Sequence, residues 1–387
     1  MQTPGNNLHD LRDQRFVMRR MERALLGGDM CAVPARPQAL LAGSLVTILT
    51  LAGCVVLAFL WPQPDVGDAR IVMGRQTGAL YVRVGDTWHP VLNLASARLV
   101  AATDADPRPV RESDIGRMTR GPLLGIPGAP QLLGAALSDT STWSVCDTAG
   151  AAPATTVLAA EITGDGPPAA GPARPDSGPI LLRSGSQAET TAYLVHKGRR
   201  MVVNLDDPVM AGVLRWDGVP PRRVSAWLLN AIPEVSANPD LLDRTVPVGD
   251  TAALCVTWTR LPGGETGLIV SAGAGLPLPA GQAPVALAQA DGDGPALDGV
   301  YLPPGRCAYL RAAAVAGPAD GARYLVTGTG VRFTVGDDDA ARSLGLPAVP
   351  ASVPWPVLAG LPAGPQLSRQ NALVARDVVD AGHTGPP

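Results

Sequence analysis

Few side chains in this chain are equipped for chemistry. Five cysteines, Cys31, Cys54, Cys146, Cys255 and Cys307, could bridge, ligate or attack. Four histidines, His9, His89, His196 and His383, are scattered along the chain. No Cys-x-x-Cys pair and no Cys/His cluster with zinc spacing accompanies them, so no metal site is expected. Acidic groups at Asp206-Asp207, Asp291 with Asp293, and Asp337-Asp338-Asp339 could attract a cation. Set among Gly and Ala, they read as solvated turns. Lys197 is the single lysine. A P-loop needs a lysine just after its glycine-rich turn to reach the β- and γ-phosphates. Lys197 sits in Val195-His196-Lys197-Gly198 with no such loop ahead of it, which excludes a Walker-type nucleotide site. No Gly-x-Ser-x-Gly elbow occurs either. The nearest stretch, Arg183-Ser184-Gly185-Ser186, lacks the flanking glycine. No catalytic, cofactor-binding or metal-ligating residue is assigned, and no cofactor is expected.

The elements that position these residues begin with an apolar run. Ala39 to Trp61 carries no charge. At ~1.5 Å rise per residue a helix of this length spans roughly 34 Å, enough for the hydrocarbon core of a bilayer. Leu51-Ala52-Gly53-Cys54 resembles a lipobox, but Val55 to Trp61 stay apolar past the cysteine, which favours an uncleaved single-span anchor. Arg12, Arg15, Arg19, Arg20, Arg23 and Arg36 precede the run, whereas only Arg70 and Arg75 lie within about 20 residues after it. That bias places the N-terminus in the cytoplasm and the remainder outside, in the cell membrane as a single-pass protein. Within the arm before the run, Val17, Met18, Met21, Ala24 and Leu25 form one stripe at helical spacing, flanked by arginines. Such an amphipathic helix suits the inner leaflet of the bilayer or a partner subunit, with Phe16, Val17, Met18, Arg19, Arg20, Met21 and Leu25 as contact residues.

The chain has 387 residues, of which 44 are Gly and 39 Pro, so short elements and many turns are expected. The net charge of −3 leaves no basic excess for nucleic acid. Three segments share an order: Leu80-Tyr81-Val82-Arg83-Val84-Gly85, Ala192-Tyr193-Leu194-Val195-His196-Lys197-Gly198 and Arg323-Tyr324-Leu325-Val326-Thr327-Gly328. Each opens a hairpin, runs through a short apolar helix, and ends at a hydrophobic-Pro stop, at Ile126-Pro127, Ile232-Pro233 and Leu361-Pro362 respectively. The pattern predicts a repeated ββα module. Short strands at Ala252 to Trp258, Gly267 to Val270, Gly299 to Leu302 and Cys307 to Leu310 predict a β-rich core between modules. The expected organisation is a cytoplasmic arm over 1–38, a transmembrane helix over 39–61, a first module over 62–135, a core segment and linker over 136–191, a second module over 192–245, a central core over 246–320, a last module over 321–376 and a loose tail over 377–387. The fold class is α+β.

In this topology Cys31 stays reduced and Cys54 lies in the bilayer, which leaves three cysteines in an oxidising space. One disulfide and one leftover thiol is the simplest count, and three pairings are open. A Cys146–Cys255 bridge would close a loop of about 110 residues, worth roughly 4–5 kcal/mol in the chain-entropy account.

Several long stretches resemble a known family. Gln14 to Leu25, Leu80-Tyr81-Val82 leading to His89-Pro90-Val91-Leu92-Asn93-Leu94-Ala95-Ser96-Ala97-Arg98-Leu99, Arg120 to Pro130, Trp143-Ser144-Val145-Cys146-Asp147, Val300 to Arg306 and Leu361 to Pro365 occur in the order found in EccB, the single-span membrane component of actinobacterial type VII secretion systems. The resemblance covers nearly the whole chain. It implies an elongated outer domain of repeat modules around a β-rich core, closed by a Cys146–Cys255 disulfide. It implies a structural role in the secretion complex, beside an FtsK/SpoIIIE-type ATPase (EccC), the multi-span EccD, EccE and the mycosin protease, with self-association of the outer domain. Three modules stand here where the family has four, which points to a module trimmed or degenerate between Asn238 and Asp250. Cys307 stands where the family usually carries Gly. ATP hydrolysis has been ascribed to the family, and the motifs of this chain do not support it. An exported cell-wall-binding module is a further alternative.

Overall fold

A computed structural model describes residues 47–53 and, within 66–377, all but 139–140, 150–153, 161–178, 185–190, 215–219, 237–251, 261–265, 293 and 315–320. The chain divides into two units, Met1–Asp65 and Val66–Pro387. In the first, residues 47–53 are helical, and Ile48, Leu49 and Leu51 are exposed. The expected arm, with its contact residues from Phe16 to Leu25, lies outside the described residues, as does most of the Ala39–Trp61 run. Among the described residues no helix is long and apolar enough to cross a membrane.

The second unit is α+β, with four principal sheets. Its first sheet forms from β1 (Ile71–Gly74), β2 (Leu80–Val84) and β3 (Thr87–Val91). Helix α1 (Leu94–Ala101) follows, then β4 (Arg108–Val110) and α2 (Glu112–Ile115). The order is β3-β2-β1-β4, antiparallel throughout except for β4, which runs parallel to β1. Asn93 caps α1. Its carbonyl oxygen accepts from the Ser96 N–H at 2.9 Å, and its amide donates to the Ile126 carbonyl at 2.8 Å. Both halves of a buried amide are thereby satisfied, so one side chain starts the helix and ties down the next loop.

A short β5 (Ala135–Ala136) leads to the central strands β6 (Thr142–Thr148) and β7 (Ala154–Ala160). The second module then comprises β8 (Ile180–Ser184), β9 (Thr191–His196), β10 (Arg199–Asn204), α3 (Pro208–Leu214), β11 (Arg222–Val224) and α4 (Ala226–Asn230). Its sheet order, β10-β9-β8-β11, with β11 parallel to β8, repeats the first. Central strands follow as β12 (Ala253–Arg260), β13 (Thr266–Gly273), β14 (Val285–Ala286) and β15 (Gly299–Tyr301). They complete a six-stranded sheet ordered β13-β12-β6-β7-β15-β14.

The last module is β16 (Arg306–Ala313), β17 (Arg323–Val326), β18 (Arg332–Thr334), α5 (Asp338–Ser343), β19 (Ala351–Pro354), α6 (Trp355–Ala359) and α7 (Arg369–Ala372). The order β18-β17-β16-β19, with β19 parallel to β16, is the same again. Each module therefore opens one strand earlier than the Tyr-led strand visible in the sequence. Cys307-Ala308-Tyr309-Leu310 belongs to this module's first strand rather than to the central sheet.

The end of each module lies along its third strand. Trp88 bridges Arg120, Arg200 bridges Glu234, and Arg332 bridges Ala363, all in parallel. The N–H of Arg200 donates to Pro233 and that of Arg332 to Pro362, both at 2.9 Å. In the first module the matching acceptor is Thr119, which takes the Trp88 N–H at 2.8 Å. Thr119, not Pro127, is therefore the counterpart of Pro362, and it lies as far from Tyr81 as Pro362 lies from Tyr324. Each leading tyrosine also carries a guanidinium on its ring face: Arg120 over Tyr81 at 5.8 Å, Arg200 over Tyr193 at 5.1 Å and Arg332 over Tyr324 at 5.4 Å. In the last two modules this arginine is on the third strand. In the first it has crossed the ladder to the return segment, opposite Trp88, and the contact is kept.

Alternation along the strands decides what packs where. Ala308, Leu310 and Ala312 face the main core with Trp143, Val145, Leu254 and Val256. Cys307 and Tyr309 face the other way, into a core shared with Val82, Leu99 and Ile126 of the first module. The last module's sheet is thus buried on both faces. The second module has one face in the main core and covers the other with Leu205, Met210 and Val235.

The turn at Lys197-Gly198 joins β9 to β10 with φ of 49° and 69°, as a two-residue hairpin requires. A Cβ on Gly198 would stand 2.8 Å from the Leu268 carbonyl oxygen of β13. Gly198→Ala is therefore expected to lower stability by about 2 kcal/mol, through backbone strain and a forced shift at β13. Denaturant unfolding reads this directly, and an unchanged midpoint would refute the close packing of this turn on the central sheet.

Candidate functional site

Two adjacent residues on β6 point to opposite faces of the central sheet. Cys146 is wholly buried and is paired in register with Cys255 on β12. The two form a disulfide that spans 109 residues of sequence. It lies on the back face, packed with Leu158 and Tyr301 and covered by Leu276 and Leu278. Cys307 is free and buried. Its thiol donates to the Gly134 carbonyl at 3.0 Å, and burial pushes its pKa up to about 11. A thiol held protonated in this way is inert as a nucleophile.

Asp147 points to the front face, also wholly buried. Its carboxylate accepts the Ser225 N–H at 2.6 Å, the Ser225 hydroxyl at 2.9 Å and the Thr155 hydroxyl at 2.9 Å. Ser225 in turn caps α4, accepting the Leu228 N–H at 3.1 Å. The carboxylate therefore joins the central sheet to the start of the second module's last helix. Burial raises its pKa to about 6, against the pull of the Ser225 and Thr155 hydrogen bonds and the Arg222 charge. The same burial lowers the pKa of Arg222, which Asp147 partly restores. A charge withdrawn from water this far needs every one of these partners.

The acidic residues noted in the sequence serve local structure. Asp207 accepts the Val209 N–H at 2.9 Å at the head of α3, and Asp337 accepts the Ala340 N–H at 2.7 Å as the cap of α5. Asp338 pairs with Arg323, and Asp339 with Arg342. Asp291 accepts the Ala296 N–H at 3.3 Å within its own turn, while Asp293 lies outside the described residues. The reading of these groups as plain solvated turns is corrected for Asp207 and Asp337, which are helix caps. His89 uses Nδ1 against the Pro122 carbonyl at 3.0 Å, and a Cβ on Gly121 would collide with its ring. Among the described residues no group of three or more His, Cys, Asp or Glu is arranged to hold a metal ion.

Sequence reasoning missed Asp147, Ser225 and Arg222. The available signal was Ser225 just ahead of the apolar Trp227-Leu228-Leu229, a helix-start pattern. Nothing local connects it to Asp147, which lies 78 residues away.

A family model described as "Type VII secretion system ESX-1, transport TM domain B" matches residues 7–239 and 234–381. The chain is 32% identical over 473 residues to the "ESX-3 secretion system ATPase EccB3" of Mycolicibacterium smegmatis, covering 96% of this chain and 91% of that protein. It is 30% identical to the "ESX-2 secretion system ATPase EccB2" of Mycobacterium tuberculosis, with 88% of each chain covered. Among solved structures, a chain of an intact ESX-5 inner membrane complex is similar with a TM-score of 0.68 at 26% identity, covering 100% of this chain and 99% of that one. The EccB3 dimer from the ESX-3 core complex is similar with a TM-score of 0.66 at 28% identity, covering 79% of this chain and 100% of that one.

Proposed function

Because this chain belongs to the EccB family and is a structural, membrane-associated component of type VII secretion, we propose that its task is assembly rather than bond-making. The observation that carries this reading is the pairing of a chain-long family match with an interior devoted to holding modules together. Its one described disulfide closes the central sheet, its buried carboxylate fastens a module to that sheet, and its single lysine sits in a hairpin turn. The relatives' names include the word ATPase, which describes those proteins.

The finer parts of the proposal rest on sequence. Ala39 to Trp61 serves as the single membrane span, with the N-terminus cytoplasmic. Phe16, Val17, Met18, Arg19, Arg20, Met21 and Leu25 meet the inner leaflet or neighbouring subunits, the expected ones being the FtsK/SpoIIIE-type ATPase, EccD, EccE and the mycosin. The unit after residue 65 lies outside the membrane, where a disulfide is at home, and self-associates there. One module has been trimmed between Asn238 and Asp250. In support, the family model matches in two pieces that meet at 234–239, and 473 aligned positions are needed to span this shorter chain.

The test is gentle detergent purification of the tagged full-length protein, followed by mass spectrometry. Recovery of the ATPase and multi-span subunits, without ATP turnover by this chain alone, is expected. Recovery of the protein by itself, with nucleotide hydrolysis that survives further purification, would overturn the scaffold reading in favour of an enzyme.

A further inference from the structure

A groove of about 470 Å³ opens on the first module, where three arginines converge from separate parts of the chain. Arg70 precedes β1, Arg83 is on β2 and Arg369 begins α7. Val84 and Val100 contribute an apolar floor, and Asp68 is the single carboxylate in the lining.

Little carboxylate charge offsets these three arginines, whereas four others are paired. Arg98, Arg200, Arg323 and Arg342 each face a carboxylate, namely Asp106, Glu234, Asp338 and Asp339. Arg70 and Arg369 have no ion pair among the described residues. Arg83 reaches only Asp86, at 3.4 Å on the rim.

Two of the three guanidiniums are also held in place by the backbone. Arg70 donates to the Ala101 carbonyl at 3.2 Å, at the end of α1, and Arg83 donates to the Gly85 carbonyl at 3.0 Å. Each bond uses one N–H and leaves others free, since a guanidinium carries five donors. The two strands are themselves joined, with the Arg83 N–H on the Arg70 carbonyl at 2.9 Å. Three guanidiniums around one concavity, two of them held by the backbone and only Arg83 ion-paired, suit an anion with several oxygens at tetrahedral spacing.

We propose that this groove binds a phosphate group, with Arg70, Arg83 and Arg369 as its ligands. Two sources share that chemistry: the phosphodiester of an anionic lipid headgroup, and a free phosphate anion. The first has an argument from chain length. Residues 62–67 alone separate Trp61, the end of the apolar run, from Asp68 in the groove. They extend at most roughly 25 Å, a tether short enough to let the groove of an anchored chain meet the headgroup layer. The lipid source rests on the membrane reading above, and the phosphate source does not.

The test uses the full-length protein in a neutral detergent. Three probes are titrated calorimetrically: inorganic phosphate, dihexanoyl-phosphatidylglycerol and dihexanoyl-phosphatidylcholine. Hydrogen exchange of peptides covering 68–85 and 369 locates the contact. Saturable binding of at least one anionic probe is expected, with protection at those peptides, weakening as salt rises. The triple variant Arg70→Gln, Arg83→Gln, Arg369→Gln should weaken it by about tenfold or more. These side chains are exposed, so the variant should unfold at an unchanged temperature, which a thermal melt checks. Binding of phosphatidylglycerol alone assigns the lipid source, and equal binding of inorganic phosphate assigns the anion itself. No binding by the parent protein, binding unchanged in the triple variant, or protection elsewhere overturns the proposal. Any of these results, obtained with protein still recovered beside the secretion subunits, removes the groove and leaves the scaffold reading standing.

Discussion

Cys146→Ser is expected to remove about 5 kcal/mol from the stability of the Val66–Pro387 unit. The bridge ties residues 109 apart. Without it, the unfolded chain regains the freedom of a loop that includes the entire second module. The folded state is left with little to compensate. The two cysteines are direct cross-strand partners on β6 and β12, so the strands stay paired by their backbone while the buried face against Leu158 and Tyr301 exchanges one sulfur for a hydroxyl and keeps Cys255 as a thiol. A change this large is a substantial part of the 5–15 kcal/mol typical of a folded domain. Guanidinium unfolding of the oxidised parent and the variant measures it. An unchanged midpoint would defeat the expectation. So would mass-spectrometric labelling of Cys146 or Cys255 thiols in the folded parent protein.

Asp147→Ala should cost about 3 kcal/mol, by a different route. It strips the half-buried Ser225 N–H of its acceptor, loosens the cap of α4 and removes the carboxylate charge that acts on Arg222. The milder Asp147→Asn separates charge from shape. A carboxyl whose pKa rises on folding from the ordinary 3.8 to about 6 binds its proton more tightly in the folded state. Its contribution is therefore largest below pH 4 and is lost as the pH rises through 6. Wild-type stability should gain about 2 kcal/mol relative to Asp147→Asn as the pH is lowered from 7 to 4.5. Arg222 stays charged throughout this window, so the gain comes from the carboxyl. A stability difference that is flat with pH, or that grows toward neutral pH, would show that Asp147 is not desolvated at this junction.

How much of this was legible in the sequence depended on range. The Tyr-led strands stood out because alternation and a glycine turn are local signals. Two of their leading partners, β1 and β8, did not, and the third, β16, showed as a strand without its module, because a strand that pairs in parallel with a segment beyond a helix leaves no nearby mark of that pairing. Cys307 to Leu310 consequently read as central sheet, since its alternation is the same wherever it pairs. The stop at Pro127 was aligned by residue type, whereas the backbone places Thr119 at that point. The disulfide pairing came from family resemblance, because counting alone left three choices. Asp147 was invisible as a fastening, since its partners Ser225 and Arg222 belong to another module and nothing near Cys146 announces them.

The two-faced sheet of the last module has a consequence for the order in which the protein is made. The first module completes its packing against residues near the end of the chain. Arg98 donates to the Leu344 carbonyl, the Leu123 N–H to the Asp377 carboxylate, and Arg376 to the Gly125 carbonyl, across separations of 246, 254 and 251 residues. Contacts this distant demand loop closure before they stabilise anything, which slows folding. A chain synthesised from its N-terminus exposes Val82, Leu99 and Ile126 first and must wait for Phe333 and Leu367 to cover them. Until synthesis has delivered those residues, the first module is a half-built interface whose exposed apolar face is open to misassociation.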